Sequence, residues 1–274
     1  MSRRNPEDQL RDHYLKKISI KDRQFAYEVM GTGSPTVVLE TGLGSESSEW
    51  GPVAATIAKS RAVFRYDRAG RGESDPGPGN RDALTMVDEL SALLEATQTK
   101  GPYLLVGHSF GGLLMRLFAN ARIADVYGLV LVESMHHRQF QSLGPAFPDS
   151  SPSDPPPLVQ MRDFWTGGWR TKSSTPEHID FAGSFAQDQA VISLGDLPLF
   201  TVSAASFVNM PFLRDAPARQ RLQLLWNELQ ADLSHLSDNR RTTYLDKSGH
   251  FVQRDDPDSI VMAIEALLGS ASTH

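Results

Sequence analysis

The sequence predicts an α/β protein with a mostly parallel central sheet flanked by helices. Three observations carry this. Short apolar runs rich in β-branched or aromatic residues recur at 36–40, 62–66, 103–106, 127–132 and 197–203. Amphipathic helical patterns separate them, and such alternation marks a parallel sheet covered on both faces. Finally, the chemically loaded segments 41–44, 67–75, 107–111, 133–137 and 248–250 each follow a predicted strand. Ligands of open α/β sheets bind at those carboxyl ends.

Composition sets limits. A chain of 274 residues is long enough for one large domain with an insertion. The net charge of -6 argues against a nucleic-acid partner. No apolar stretch approaches the ~18 residues of a membrane span. The basic opening Met1-Ser-Arg-Arg runs into polar residues, so no secretory leader is expected. Cysteine is absent, which excludes disulfides, cysteine nucleophiles and thiolate metal sites and fits a cytoplasmic setting.

In chain order, residues 1–17 are highly charged and read as an N-terminal arm. Residues 18–21 and 24–30 alternate as a hairpin does. The buried strand 36–40 ends in the glycine-containing loop 41–44, and a helix follows over 50–60 with Pro52 in its first turn. Strand 62–66 leads into the glycine-rich loop 67–75, where Asp67 is expected to serve turn hydrogen bonding. Helix 85–96 turns Met86, Leu90, Leu93 and Leu94 to one face. Strand 103–106, a tight turn, a helix carrying Leu113, Leu114, Leu117 and Phe118, and strand 127–132 come next, ending at Glu133.

From Ser134 the composition changes. Residues 143–158 hold six prolines, and Phe164, Trp165 and Trp169 follow in a glycine-containing patch. The segment is too long for a simple loop, and its aromatic residues call for burial. It predicts a cap or lid over 134–196, inserted between core segments 18–133 and 197–274. Strand 197–203 resumes the sheet. A helix from about residue 217 then carries Leu222, Leu225, Trp226, Leu229, Leu233 and Leu236 as a core stripe. Strand 242–245, a turn at 248–250 and helix 258–268 close the chain.

The chemistry centres on Gly107-His-Ser-Phe-Gly111, a G-x-S-x-G pattern between a strand and a helix. That context lifts the hydroxyl of Ser109 above the sheet at a helix N-terminus, where developing negative charge is favoured. A serine needs a base. Of eight histidines, His13 and His274 are terminal, His178 is in the cap and His235 is on the long helix. His250 lies after the last strand, on the sheet edge of Ser109, and is the expected base. Two carboxylates compete to orient it. Glu133 ends the strand after the elbow helix and is favoured; Asp215, the first acid after strand 197–203, is the alternative. For the oxyanion the expected donors are the N–H groups of Phe110 and Leu43, with Gly42 allowing close approach; the alternative at 41–44 is an ordinary glycine turn. His108, His136, His137, Phe164, Trp165 and Trp169 are expected around the substrate, with no metal and no cofactor.

Together Thr41-Gly-Leu-Gly44, Tyr66-Asp-Arg-Ala-Gly-Arg-Gly-Glu-Ser74, Gly107-His-Ser-Phe-Gly-Gly112 and Ser248-Gly-His250 resemble the α/β-hydrolase superfamily of serine hydrolases, in its capped, esterase-like group. The resemblance spans about residues 24–268. It implies an α/β-hydrolase fold, with Ser109 as nucleophile, His250 as base, and Leu43 and Phe110 as oxyanion donors. Two departures stand out. The family's usual His-Gly is Thr41-Gly42 here, and the acid is missing from its commonest place. Some members carry the acid after the preceding strand, which matches Glu133. Haloalkane dehalogenases and epoxide hydrolases share the fold with an aspartate nucleophile, and Ser109 argues against both chemistries. The expected activity is hydrolysis of a small-molecule carboxylic ester, bulky or cyclic, through an acyl-enzyme. Alternatives are a lactonase, amidase, C–C bond hydrolase or cofactor-free haloperoxidase with the same residues, or a non-enzymatic small-molecule receptor.

Overall fold

The structure, a computed structural model, describes residues 15–269. β1 (Lys16–Ile20) and β2 (Arg23–Met30) form an antiparallel hairpin. Lys16 and Lys17, expected in the arm, instead pair with Tyr27 and Ala26, because the tight turn at Lys21, with φ 55°, brings them opposite. The remainder of the expected arm, residues 1–14, lies outside the described residues, as do His13 and His274.

β3 (Thr36–Glu40) is followed by a 3-10 turn and α1 (Gly51–Ile57), then by β4 (Val63–Tyr66), which pairs antiparallel with β2. Next come α2 (Ala83–Ala96), β5 (Tyr103–His108), α3 (Phe110–Ala121) and β6 (Val126–Val132). Between β6 and the next strand lie three helices, α4 (Gln139–Leu143), α5 (Pro156–Thr166) and α6 (Phe181–Gln189). β7 (Leu199–Ala204), α7 (Ala216–Ser234), β8 (Arg240–Leu245), α8 (Val252–Asp255) and α9 (Pro257–Gly269) complete the fold.

The eight strands form one sheet in the order β1-β2-β4-β3-β5-β6-β7-β8, parallel from β4 to β8. The strand order reverses at β3, which has β4 on one side and β5 on the other. A crevice opens at such a switch point, beyond the carboxyl ends of the strands. Here it falls between the loop after β3 and the turn after β5.

Although β3 to β6 read as near-continuous apolar runs, their period of two still sorts them. Val38, Leu105, Leu129 and Leu131 face α2 and α3, and Val37, Leu39, Leu104, Val106, Val130 and Val132 face α1 and α9. A third cluster joins Leu143, Phe147 and Leu158 to Leu222, Trp226 and Leu229 of α7. The proline-rich stretch is therefore anchored by apolar packing, with Pro155 and Pro156 starting α5 where no N–H is needed. Among the described residues no helix is long and apolar enough to cross a membrane.

Candidate active site

The turn between β5 and α3 puts Ser109 at φ 52° and ψ -119°, outside the conformations that a residue with a side chain adopts without strain. The two glycines around it are there for space. A Cβ on Gly107 would lie 2.5 Å from the carbonyl oxygen of Gly111, and one on Gly111 would lie 2.5 Å from those of Glu40 and Thr41. The strain is held by hydrogen bonds on both sides: Ser109 N–H donates to Val132 O at 3.0 Å, and Met135 N–H donates to Ser109 O at 2.8 Å. Phe110 opens α3, so its N–H belongs to the first turn, whose N–H groups have no carbonyl partner within the helix.

Glu133 leaves the end of β6 at φ 45° and is fully buried. Its Oε2 lies 3.3 Å from Nδ1 of His250. A lone buried carboxylate would be costly, and this one is surrounded by donors. Ala204 N–H donates to Oε1 at 2.6 Å, the Trp226 indole N–H lies 2.9 Å from Oε2, and the hydroxyl of Ser206 makes a short bond to Oε2. Ser206 and Trp226 were not expected to touch the site. Trp226 reads as core from its place in the α7 stripe; its indole is buried, and it carries the one polar atom of that stripe.

Asp215, the alternative acid, does not take this place. It caps the N-terminus of α7, accepting Ala218 N–H at 3.0 Å, the ordinary use of an aspartate before a helix. The loop bearing His250 is fixed from two directions: Asn209 Nδ2 donates to Ser248 O at 3.0 Å, and Gly249 N–H donates to Asp255 Oδ2 at 2.8 Å.

His108 is buried against the same loop. Its Nε2 lies 2.8 Å from His250 O, and since a carbonyl can only accept, the proton sits on Nε2 and Nδ1 accepts from Gln253. Burial, followed by the neighbouring His250, pushes its pKa well below the usual imidazole range. It packs beneath Gly42, where a Cβ would meet its Nδ1 at 2.8 Å.

Thr41, Gly42 and Leu43 form the loop after β3. Arg68 reaches it from the loop after β4, donating to Thr41 O and Gly42 O at 2.7 Å each. The same guanidinium pairs with Glu40 and Glu177. Asp67 serves its turn, as expected, accepting the N–H groups of Ser47 and Glu73.

Ser109, His108, His250, Gly42 and Leu43 line one cavity of about 460 Å³. Its other walls are mainly apolar: Met135, Phe140, Met161, Phe164, Trp165 and Phe207 stand out. Three residues expected at the substrate do not line it. His136 and His137 turn into a separate cleft of about 170 Å³, where they meet Asp232 and Asp188 at 3.0 and 3.1 Å. The hydrogen bond from Met135 to Ser109 puts the methionine in the cavity wall and sends the two histidines past it. Trp169 stacks on Phe140 with ring centroids 5.3 Å apart and is buried behind it. Among the described residues, no group of three or more histidine, aspartate or glutamate side chains is placed to hold a metal ion.

Comparison with known proteins agrees with this architecture. The profile of the family described as "Alpha/beta hydrolase family" matches residues 37–263. An uncharacterized Bacillus subtilis protein, YqjL, is 28% identical over 235 residues, covering 85% of this chain and 83% of its own. Among solved structures, a thermophilic esterase from Thermogutta terrifontis superposes with a TM-score of 0.62 at 16% identity, over 95% of this chain and 98% of that one. An enol-lactonase from Burkholderia xenovorans superposes with a TM-score of 0.63 at 20% identity, over 93% and 100%.

Proposed function

The chain belongs to the alpha/beta hydrolase family, and from that premise we propose that it is a serine hydrolase that cleaves a carboxylic ester of a small molecule. One observation carries the reading: His250, paired with the buried Glu133, lines the same cavity as the elbow serine Ser109.

In this reading Glu133 accepts a hydrogen bond from Nδ1–H of His250 and leaves Nε2 as the base. Ser109 Oγ attacks the ester carbonyl while its proton moves to Nε2. The N–H groups of Phe110 and Leu43 receive the oxyanion. The imidazolium then protonates the leaving alkoxide, which departs as an alcohol, and an acyl-enzyme remains. Water, losing a proton to Nε2, attacks the acyl carbon; as the acid leaves, the imidazolium returns that proton to Ser109 Oγ and both residues are restored. No step calls for a cofactor or metal.

Residues 134–196 serve as the cap in this proposal, and their aromatic side chains supply the substrate's surroundings. A cavity of about 460 Å³ walled by Met135, Phe140, Met161, Phe164 and Trp165 suits a bulky, apolar acyl or alcohol group, open-chain or cyclic. A fluorophosphonate probe is expected to label Ser109. A screen of p-nitrophenyl, naphthyl and lactone substrates, with Ser109→Ala as blank, is expected to favour the larger esters. A folded chain that neither takes the label nor turns over any ester is not a serine hydrolase.

A further inference from the structure

Arg68 is fully buried and every nitrogen of its guanidinium is engaged. Nη1 donates to Thr41 O at 2.7 Å and to Glu40 Oε1 at 2.6 Å. Nη2 donates to Gly42 O at 2.7 Å and to Glu177 Oε1 at 2.8 Å, and Nε donates to Glu177 Oε2 at 2.7 Å. Glu40 is itself held by the hydroxyl of Tyr66 and by Thr41 N–H. Glu177 comes from the segment between β6 and β7, more than a hundred positions along the chain, and its Oε1 also accepts Gly44 N–H at 2.9 Å.

Taking such charges out of water is expensive, and a well-packed apolar replacement is often as stable. What the network does supply is direction. The carbonyl of Gly42 and the N–H of Leu43 belong to one planar peptide unit, with oxygen and hydrogen on opposite edges. A cation bonded to that oxygen fixes where the N–H points. It also draws electron density from the N–H and so makes it a stronger donor. Glu177 then pins the far side of the same loop at Gly44.

We infer that Arg68 and Glu177 are positioning residues that aim and polarise the Leu43 N–H, so that the oxyanion site is completed only when the segment carrying Glu177 is seated on the core. This rests on the hydrolase reading above, in which Leu43 is the donor. It turns the 134–196 segment from a wall of the cavity into a participant in the chemistry. The substrate-facing part of that segment and its Glu177 anchor belong to one connected stretch. Seating it therefore builds the apolar wall and the oxyanion donor together.

The test compares the full chain with Glu177→Gln, Arg68→Lys and, as a control that breaks another buried ion pair, Glu28→Gln, which removes the charge facing Arg65. Initial rates on p-nitrophenyl butyrate give kcat and KM, and thermal melts give the loss of stability. The two loop variants are expected to lower kcat by about ten- to a hundredfold, the scale of a weakened oxyanion donor. Their KM is expected to stay within about threefold, since the contact matters to the transition state rather than to the bound ester. The control is expected to lose stability and keep kcat. A second variant, Glu177→Asp, retains the charge on a stem one methylene shorter; it decides the matter if Glu177→Gln does not fold. Undiminished kcat in the loop variants, with Ser109 of the wild type labelled by fluorophosphonate, overturns this inference alone. Failure of the wild type to label overturns the hydrolase reading and this inference with it.

Discussion

Nδ1 of His250 sits 3.3 Å from Oε2 of Glu133, a carboxylate that ends β6 rather than β7. The pairing has a backbone cause. Glu133 adopts φ 45° and its N–H bonds Val202 O of the neighbouring strand at 2.8 Å, so the side chain is carried across β7 toward the loop that follows β8.

The first prediction separates the two acids. Glu133→Gln is expected to lower kcat by about a hundredfold to ten-thousandfold, because the amide no longer stabilises the imidazolium and can hold the wrong tautomer. Asp215→Asn keeps a good helix cap and is expected to stay within about twofold of wild type. Ester hydrolysis by both folded variants checks this, and the reverse ranking would move the role to Asp215.

A second prediction concerns the support of the carboxylate. Trp226→Phe keeps an aromatic ring, smaller than the indole, and removes the N–H that lies 2.9 and 3.0 Å from the two oxygens of Glu133. A buried charged acceptor that loses a donor costs about 1–3 kcal/mol. The expected result is a lower urea midpoint and a kcat reduced about tenfold. A variant as stable and as active as wild type would show that Ala204 and Ser206 suffice.

The elbow allows a steric prediction. Gly111→Ala forces a methyl group within 2.5 Å of two backbone carbonyl oxygens, neither of which can swing aside. A loss of about 2–3 kcal/mol is expected, the cost of overpacking a rigid site. Gly44→Ala serves as a contrast: its Cβ would meet nothing within 4 Å, and its penalty comes from φ 71° alone. That penalty is about 1–2 kcal/mol.

The fourth prediction is of pH dependence. Burial is the main cause that lowers His136 from 6.5 to about 4, and its hydrogen bond to Asp232 opposes that cause. Because the folded value lies below the unfolded one, the unfolded chain takes up this proton first as pH falls. The stability tied to the neutral imidazole is whole above 6.5 and is lost between 6.5 and about 4. The loss is on the order of 3 kcal/mol. Urea midpoints across that window are expected to fall less in His136→Asn than in wild type; parallel curves would remove His136 as a cause.

Much of this was legible before any coordinates. Ser109 stands in a local pattern whose steric demands are written in its own glycines, and the strand-then-residue position of Glu133 and His250 is a matter of topology. Side-chain direction is another kind of information. Trp226 lies on a helical stripe where every position predicts burial, and nothing in that stripe says which edge of the indole meets a carboxylate. His136 and His137 follow β6 as a pocket residue should, yet one backbone hydrogen bond from Met135 to Ser109 decides that the methionine faces the cavity. Arg68 and Glu177 meet across 109 positions, and that separation leaves no periodic trace in the chain.

With Glu133, just past β6, as the proposed acid, the stretch after β7 is released from that role. Phe207, Met210 and Phe212 of that stretch form part of the cavity wall, and the proposed mechanism asks no proton transfer of residues 207–212. In the proposed reading, that stretch shapes which group fits while lying off the proton path. Residues 207–212 can be redrawn, by evolution or by an engineer, while Ser109, His250 and Glu133 are left alone.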